Sequence, residues 1–213
     1  MSCGERDYLE IARHYEACLE LHGDTHRGVD WPNAEDAAAR YRVMLDVIRN
    51  PEQPCSLLDF GCGASHLYEY MCDKGFSHIA YSGLDISEKF ITLSRKKYPG
   101  NTYYCQDFLR DGALPMFDYV IMNGVFTEKL SLSQDSMKSY VCSMLRAVYA
   151  KARGGIAVNF MSKHVDWERD DLFHLPFDEL VSFVTKHISR HFVIRNDYGL
   201  YEYTMYIYRN ALP

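Results

Sequence analysis

The chain has no Cys-x-x-Cys pair: its seven cysteines (Cys3, Cys18, Cys55, Cys62, Cys72, Cys105, Cys142) are scattered and odd in number. That spacing excludes the common zinc and dithiol motifs and points to reduced thiols rather than a disulfide framework. No apolar run approaches the ~20 residues of a membrane helix. The polar start Met1-Ser2-Cys3-Gly4-Glu5-Arg6-Asp7 has no apolar signal core behind it, so a cytoplasmic protein is expected. No cationic run exceeds Arg95-Lys96-Lys97, and the net charge is −6. Phosphate neutralisation needs more than that, so the expected partner is a small molecule, with neither nucleic acid nor membrane. Asp166, Asp170 and Asp171 are close in sequence but lack a clear partner, so no metal is expected. Repeats and low-complexity segments are also missing.

What is present suffices for a substantial core: 213 residues, 47% of them hydrophobic and 14% aromatic. A single domain is expected, with residues 1–50 as an N-terminal helical lid and 51–213 as the main body. The most informative stretch is Ser56-Leu57-Leu58-Asp59-Phe60-Gly61-Cys62-Gly63-Ala64-Ser65. It reads as a buried strand that ends in an acid and two glycines and turns directly into a helix. Glycines admit a ligand where a Cβ would collide, and a helix N-terminus offers unpaired N–H groups. Such a turn suits a nucleoside-containing cofactor.

Around it the pattern predicts helices over about 5–22 and 33–50, the second capped by Asn33, with Pro51 and Pro54 ending that unit. Strands are expected near 55–60, 79–85, 103–105, 116–122 and 156–160, with helices over 64–74, 87–98, 133–152 and 177–189 between them. Gly154-Gly155 is read as the break before the fifth strand. Strands separated by helices imply a parallel sheet covered on both faces. The last two strands, 192–194 and 203–208, are joined by only Asn196-Asp197-Tyr198-Gly199-Leu200, too short for a crossover, and must pair antiparallel.

In this order, Leu58-Asp59-Phe60-Gly61-Cys62-Gly63, Leu84-Asp85, Gln106-Asp107 and Phe117-Asp118-Tyr119-Val120-Ile121 resemble the class I S-adenosylmethionine-dependent methyltransferases, of the bacterial small-molecule type, from about residue 40 onward. The resemblance implies an α/β doubly wound, mostly parallel seven-stranded sheet of order 3-2-1-4-5-7-6, its last strand antiparallel. It also implies S-adenosyl-L-methionine as cofactor. Gly61, Cys62 and Gly63 would pass close to the methionine part, Asp59 would face its ammonium, and Asp85 would take the ribose hydroxyls. Asp107 would accept from the adenine amine, with Ile86 or Phe108 against the ring. Asn123 completes the cofactor set, with Trp31 or Val29 closing over it and Arg40 or Arg42 on its carboxylate. A third glycine common in the family is Ser65 here, a small residue whose hydroxyl is expected to cap the helix.

Methyl transfer is an in-line displacement that depends chiefly on positioning, and a base is needed for an alcohol or protonated amine. The segment Asn123-Gly124-Val125-Phe126-Thr127-Glu128 lacks the Asn/Asp-Pro-Pro-Tyr/Phe run of similar enzymes that hold a planar amine, which disfavours nucleobase methylation. His164 is the first candidate base, with His174 and Asp197 as rivals. The expected acceptor is an O or N atom of a small metabolite, a sugar or natural-product intermediate. The alternatives are a catalytically inactive S-adenosylmethionine/S-adenosylhomocysteine-binding protein and, less favoured, an aminopropyl transferase on the same fold.

Overall fold

The computed structural model describes residues 8–211. Residues 5–7 of the expected first helix, and Cys3, lie outside the described residues. Seven strands form one sheet: β1 (Cys55–Phe60), β2 (Ile79–Asp85), β3 (Thr102–Cys105), β4 (Phe117–Met122), β5 (Ala152–Met161), β6 (His191–Arg195) and β7 (Glu202–Tyr208). Their order is β3-β2-β1-β4-β5-β7-β6. The first five run parallel, and β7 is antiparallel to both β5 and β6. The short link 196–200 therefore closes a hairpin, as its length required.

The helices are α1 (Leu9–His22), α2 (Ala34–Leu45), α3 (His66–Asp73), α4 (Glu88–Lys97), α5 (Phe108–Asp111), α6 (Gln134–Tyr149) and α7 (Phe177–His187). Asn33, Ser87 and Ser133 start α2, α4 and α6 by accepting a hydrogen bond from Asp36, Phe90 and Ser136 N–H. Alternation along the strands separates two cores. Leu58, Val120 and Ile156 face α6 and α7, packing with Val141, Leu145 and Val184. Leu57, Ile121 and Ala157 face the other side, with Met44, Leu67, Met71 and Ile91. Burial on both faces is what a doubly wound sheet requires. No described helix is long and apolar enough to cross a membrane.

Three local expectations change. The second helix stops at Leu45 instead of Asn50. Gly154 and Gly155 lie inside β5 rather than before it. A Cβ on Gly154 would come 2.9 Å from the Asp118 carbonyl oxygen, and one on Gly155 would come 2.8 Å from that of Ile207. Glycine here permits close strand packing beside a register shift against β4. Ser65 does not cap α3. It adopts the left-handed conformation (φ 59°, ψ 33°) that the glycine of similar chains occupies readily, and its hydroxyl donates to Tyr103 Oη at 3.2 Å.

Candidate active site

The turn after β1 is held by β2. The N–H groups of Gly61 and Cys62 both donate to the Leu84 carbonyl, at 2.7 and 2.9 Å. Gly61 and Gly63 take positive φ (76° and 49°), and a Cβ on Gly61 would sit 2.8 Å from Val125 Cγ2. The chain therefore passes through space that no side chain could share. Asp85, at the tip of β2, accepts the Gly63 N–H on one carboxylate oxygen and the Ser87 N–H on the other, each at 2.9 Å. Burial lifts its carboxyl above the usual range, against the pull of those two N–H groups. Asp59, 3% exposed, accepts from Tyr81 Oη at 2.8 Å, and burial pushes it up to about 7.

These groups line a cleft of about 150 Å³ at the carboxyl ends of β1, β2 and β4. Its roof is α1, which contributes Ile11, Ala12 and Tyr15, together with Tyr8 just before it. Tyr8 donates to Asp107 Oδ2 at 2.7 Å and stacks on Tyr140 with ring centroids 4.9 Å apart. Ser87 donates to Glu16, Lys89 pairs with Glu16 and Glu20, and Asp24 pairs with Lys97 and His66, so polar contacts hold this roof to α3 and α4. Asn123 Oδ1 is buried in the cleft with no hydrogen-bond partner among the described residues.

A second, larger cavity of about 560 Å³ adjoins the first, and Trp31 lines both. The Trp31 ring rests against Gly124, where a Cβ would come 2.9 Å from it. Below it, Arg40 places its guanidinium carbon 4.1 Å from the ring centroid and donates from Nε to Glu202 at 2.9 Å. Glu202 also accepts from Asn159, and Asn159 in turn accepts the Gly124 N–H at 2.8 Å. This buried chain fixes the loop after β4 between the two cavities. Glu128 and His174 line the second cavity, with Met161, Leu172 and Tyr201 among its walls.

A cleft at the carboxyl ends of a parallel sheet, at the point where the strand order reverses between β1 and β4, is where open α/β sheets take ligands. Known proteins share the arrangement. Residues 58–149 match a methyltransferase domain family. The chain is 26% identical over 163 residues to Rv1506c of Mycobacterium tuberculosis, a protein named as a methyltransferase, covering 75% of this chain and 96% of that one. The likeness to a methyltransferase domain thus covers β1 through α6. Solved structures show the same fold. The N-methyltransferase NodS of Bradyrhizobium japonicum, in complex with S-adenosylhomocysteine, superposes with a TM-score of 0.62 at 14% identity, covering 93% of this chain and 97% of NodS. The 1,6-didemethyltoxoflavin-N1-methyltransferase of Burkholderia thailandensis gives 0.61 at 16%, covering 98% and 92%. Human N-acetylserotonin methyltransferase in complex with SAM gives 0.60 at 13%, covering 96% of this chain but only 66% of the human one.

The expected cofactor residues Asp59, Gly61, Cys62, Gly63, Asp85, Ile86, Asp107, Phe108, Asn123 and Trp31 all line the first cleft. The Cys62 thiol is pushed well up by burial and serves as packing. Arg40 does not reach this cleft; its guanidinium is engaged by Glu202 and lines the second cavity. Of the candidate bases, only His174 lines a cavity. Its Nδ1 lies 2.6 Å from the Ser162 carbonyl and its Nε2 accepts the Arg169 N–H, so both ring nitrogens are occupied. His164 is exposed and packs on Phe177, outside both cavities. Asp197 is likewise outside them, paired with Arg195, which holds its carboxyl below the usual range. Asp171 is paired with Arg169 rather than gathered with Asp166 and Asp170. The metal-type donors that do converge among the described residues are His14, Cys18 and Asp30, within 4.8 Å of one another, and His14 and Asp30 already form an ion pair at 2.7 Å. The places of Tyr8 in the first cleft and of Thr127 and Glu128 in the second cavity are not legible in the sequence, because contacts across the fold create them.

Proposed function

We propose that this protein is a class I methyltransferase that takes its methyl group from S-adenosyl-L-methionine and passes it to a nitrogen or oxygen atom of a small metabolite, such as a sugar or natural-product intermediate. The observation that carries this reading is the Asp85–Gly63 bond beneath a cleft roofed by α1, with a second cavity beside it. The first cleft fits the cofactor. Glycine-lined main chain at Gly61 and Gly63 suits the methionine part, and the partnerless Asn123 Oδ1 and the Asp59 carboxylate suit its ammonium. Asp85 keeps lone pairs for the ribose hydroxyls, and Asp107, Phe108 and Ile86, which line the same cleft, suit the adenine.

When bound, the sulfonium supplies an electrophilic methyl group. The protein's own residues orient the nucleoside, exclude water through α1 and Trp31, and hold the acceptor in the second cavity in line with the methyl group. Positioning of this kind supplies ~7–11 kcal/mol of barrier reduction. Of the expected lid, the described residues 8–31 serve as the cover of the cleft, while α2 packs into the core of the body. Calorimetry with S-adenosylmethionine and S-adenosylhomocysteine tests the first half of the proposal, and tight binding is expected. Incubating the protein with isotopically labelled donor and a metabolite extract, with mass detection of a methylated small molecule, tests the second. Absence of nucleoside binding would overturn the reading.

A further inference from the structure

The second cavity contains a carboxylate that nothing holds. Glu128 is 6% exposed and lines this cavity, yet its carboxylate accepts no hydrogen bond among the described residues. The backbone around it is held on the wall of the cavity. Glu128 bridges Leu172, and the next two N–H groups, of Lys129 and Leu130, both donate to the Asp171 carbonyl. Burial and the nearby Asp30 and Asp171 push the carboxyl up to about 7, opposed by His14 and Arg169. A buried, unpaired carboxylate is strongly disfavoured unless a partner arrives. Two donors in the same cavity are also unfilled: Thr127 Oγ1 and Arg40 Nη1 are buried without a partner. The rim is aromatic, formed by Trp31, Trp167 and Tyr201, of which Trp167 is 71% exposed.

An unpaired acid beneath aromatic walls is the complement of an organic cation that carries a flat ring. We propose that Glu128 binds the ammonium of a ring-bearing amine acceptor and removes its proton, which makes this protein an N-methyltransferase. The proposal rests on the methyl-donor reading above and names the substrate class of that site. The ammonium passes one proton to the Glu128 carboxylate, leaving a neutral amine and a carboxylic acid. The nitrogen lone pair then forms the N–C bond as the C–S bond breaks, its electron pair leaving with the sulfur. Protonated Glu128 returns its proton to water. Thr127 and Arg40 offer their free donors to an oxygen elsewhere on the acceptor. Two of the proteins similar in fold are N-methyltransferases by name.

The test uses the full chain and two probes of equal shape, phenethylamine and 2-phenylethanol, titrated with and without saturating S-adenosylhomocysteine. The amine is expected to bind at least tenfold more tightly than the alcohol. Its affinity should rise about tenfold between pH 6 and pH 8, as Glu128 ionises while the amine stays charged. Glu128→Gln should abolish both the preference and the pH dependence without weakening nucleoside binding. Equal binding of the two probes, no binding of the amine, or an unchanged preference in E128Q would overturn the proposal. Failure of S-adenosylhomocysteine to bind, with the amine preference intact, would instead sink the cofactor reading and the methyl transfer that rests on it, leaving Glu128 as an amine-binding site only. E128Q removes only a buried charge, so loss of folding is not expected.

Discussion

Arg40 and Glu202, 162 positions apart in the chain, form a buried ion pair with Nε 2.9 Å from the carboxylate oxygen. The pair joins α2 to β7. Through Asn159 it also reaches the Gly124 N–H, and with that the loop between the two cavities. Trp31 lies over the same guanidinium. One ion pair thus sets the position of both the wall and the loop that it rests on.

Arg40→Met should therefore cost about 3–5 kcal/mol, because it strands a buried carboxylate. Adding Glu202→Gln keeps a side chain for Asn159 and Tyr198 to bond and removes the stranded charge. The double variant should be more stable than Arg40→Met alone. Urea denaturation of the three proteins measures the order directly.

Asp85→Ala removes acceptors for the ribose and also releases the Gly63 N–H. Hydrogen bonds to a charged group contribute about 1.5–3 kcal/mol each, so calorimetry should show cofactor affinity reduced by at least tenfold. Unchanged affinity would disprove the assignment of this carboxylate to the ribose.

Asp59 gives the cofactor step a pH signature. Its carboxyl, ordinarily near 3.8, stands at about 7 in the folded chain. An arriving ammonium lowers it again, so near pH 7 binding should release about half a proton. Calorimetry in two buffers of different ionisation enthalpy measures that release, and Asp59→Asn should remove it. The stability sign is the opposite of an ordinary paired acid. The folded state retains the Asp59 proton between about pH 4 and 7, so this group's contribution to stability falls as pH rises through that window.

Gly124→Ala tests the wall between the cavities. The new Cβ would meet the Trp31 ring at 2.9 Å, at a backbone φ of +75° that side chains rarely adopt. A loss of roughly 1–3 kcal/mol in thermal or urea unfolding is expected, together with weaker cofactor binding as Trp31 is displaced.

Much of this molecule is written locally. The apolar run 55–60, the acid and glycines behind it, and the capping residues Asn33, Ser87 and Ser133 each act within a few positions of themselves. Periodicity and turn chemistry therefore place the strands and helices, and the five-residue link before β7 dictates the antiparallel ending. The side chains proposed to hold the cofactor are legible for the same reason: Asp59, Gly61, Gly63, Asp85 and Asp107 lie at or just after strand ends, and parallel packing brings strand ends to one edge.

The rest required the folded chain. Whether Arg40 meets a cofactor or Glu202 depends on a strand 162 positions away, and no spacing rule encodes that meeting. His164 and Asp197 have suitable chemistry, but loop geometry leaves them outside both cavities, while Glu128, unremarkable in sequence, is buried by elements from both halves of the chain. Local sequence settles which backbone forms, since its causes act over one or two turns. Burial, charge pairing and hence proton affinity are sums over neighbours that only tertiary packing assembles.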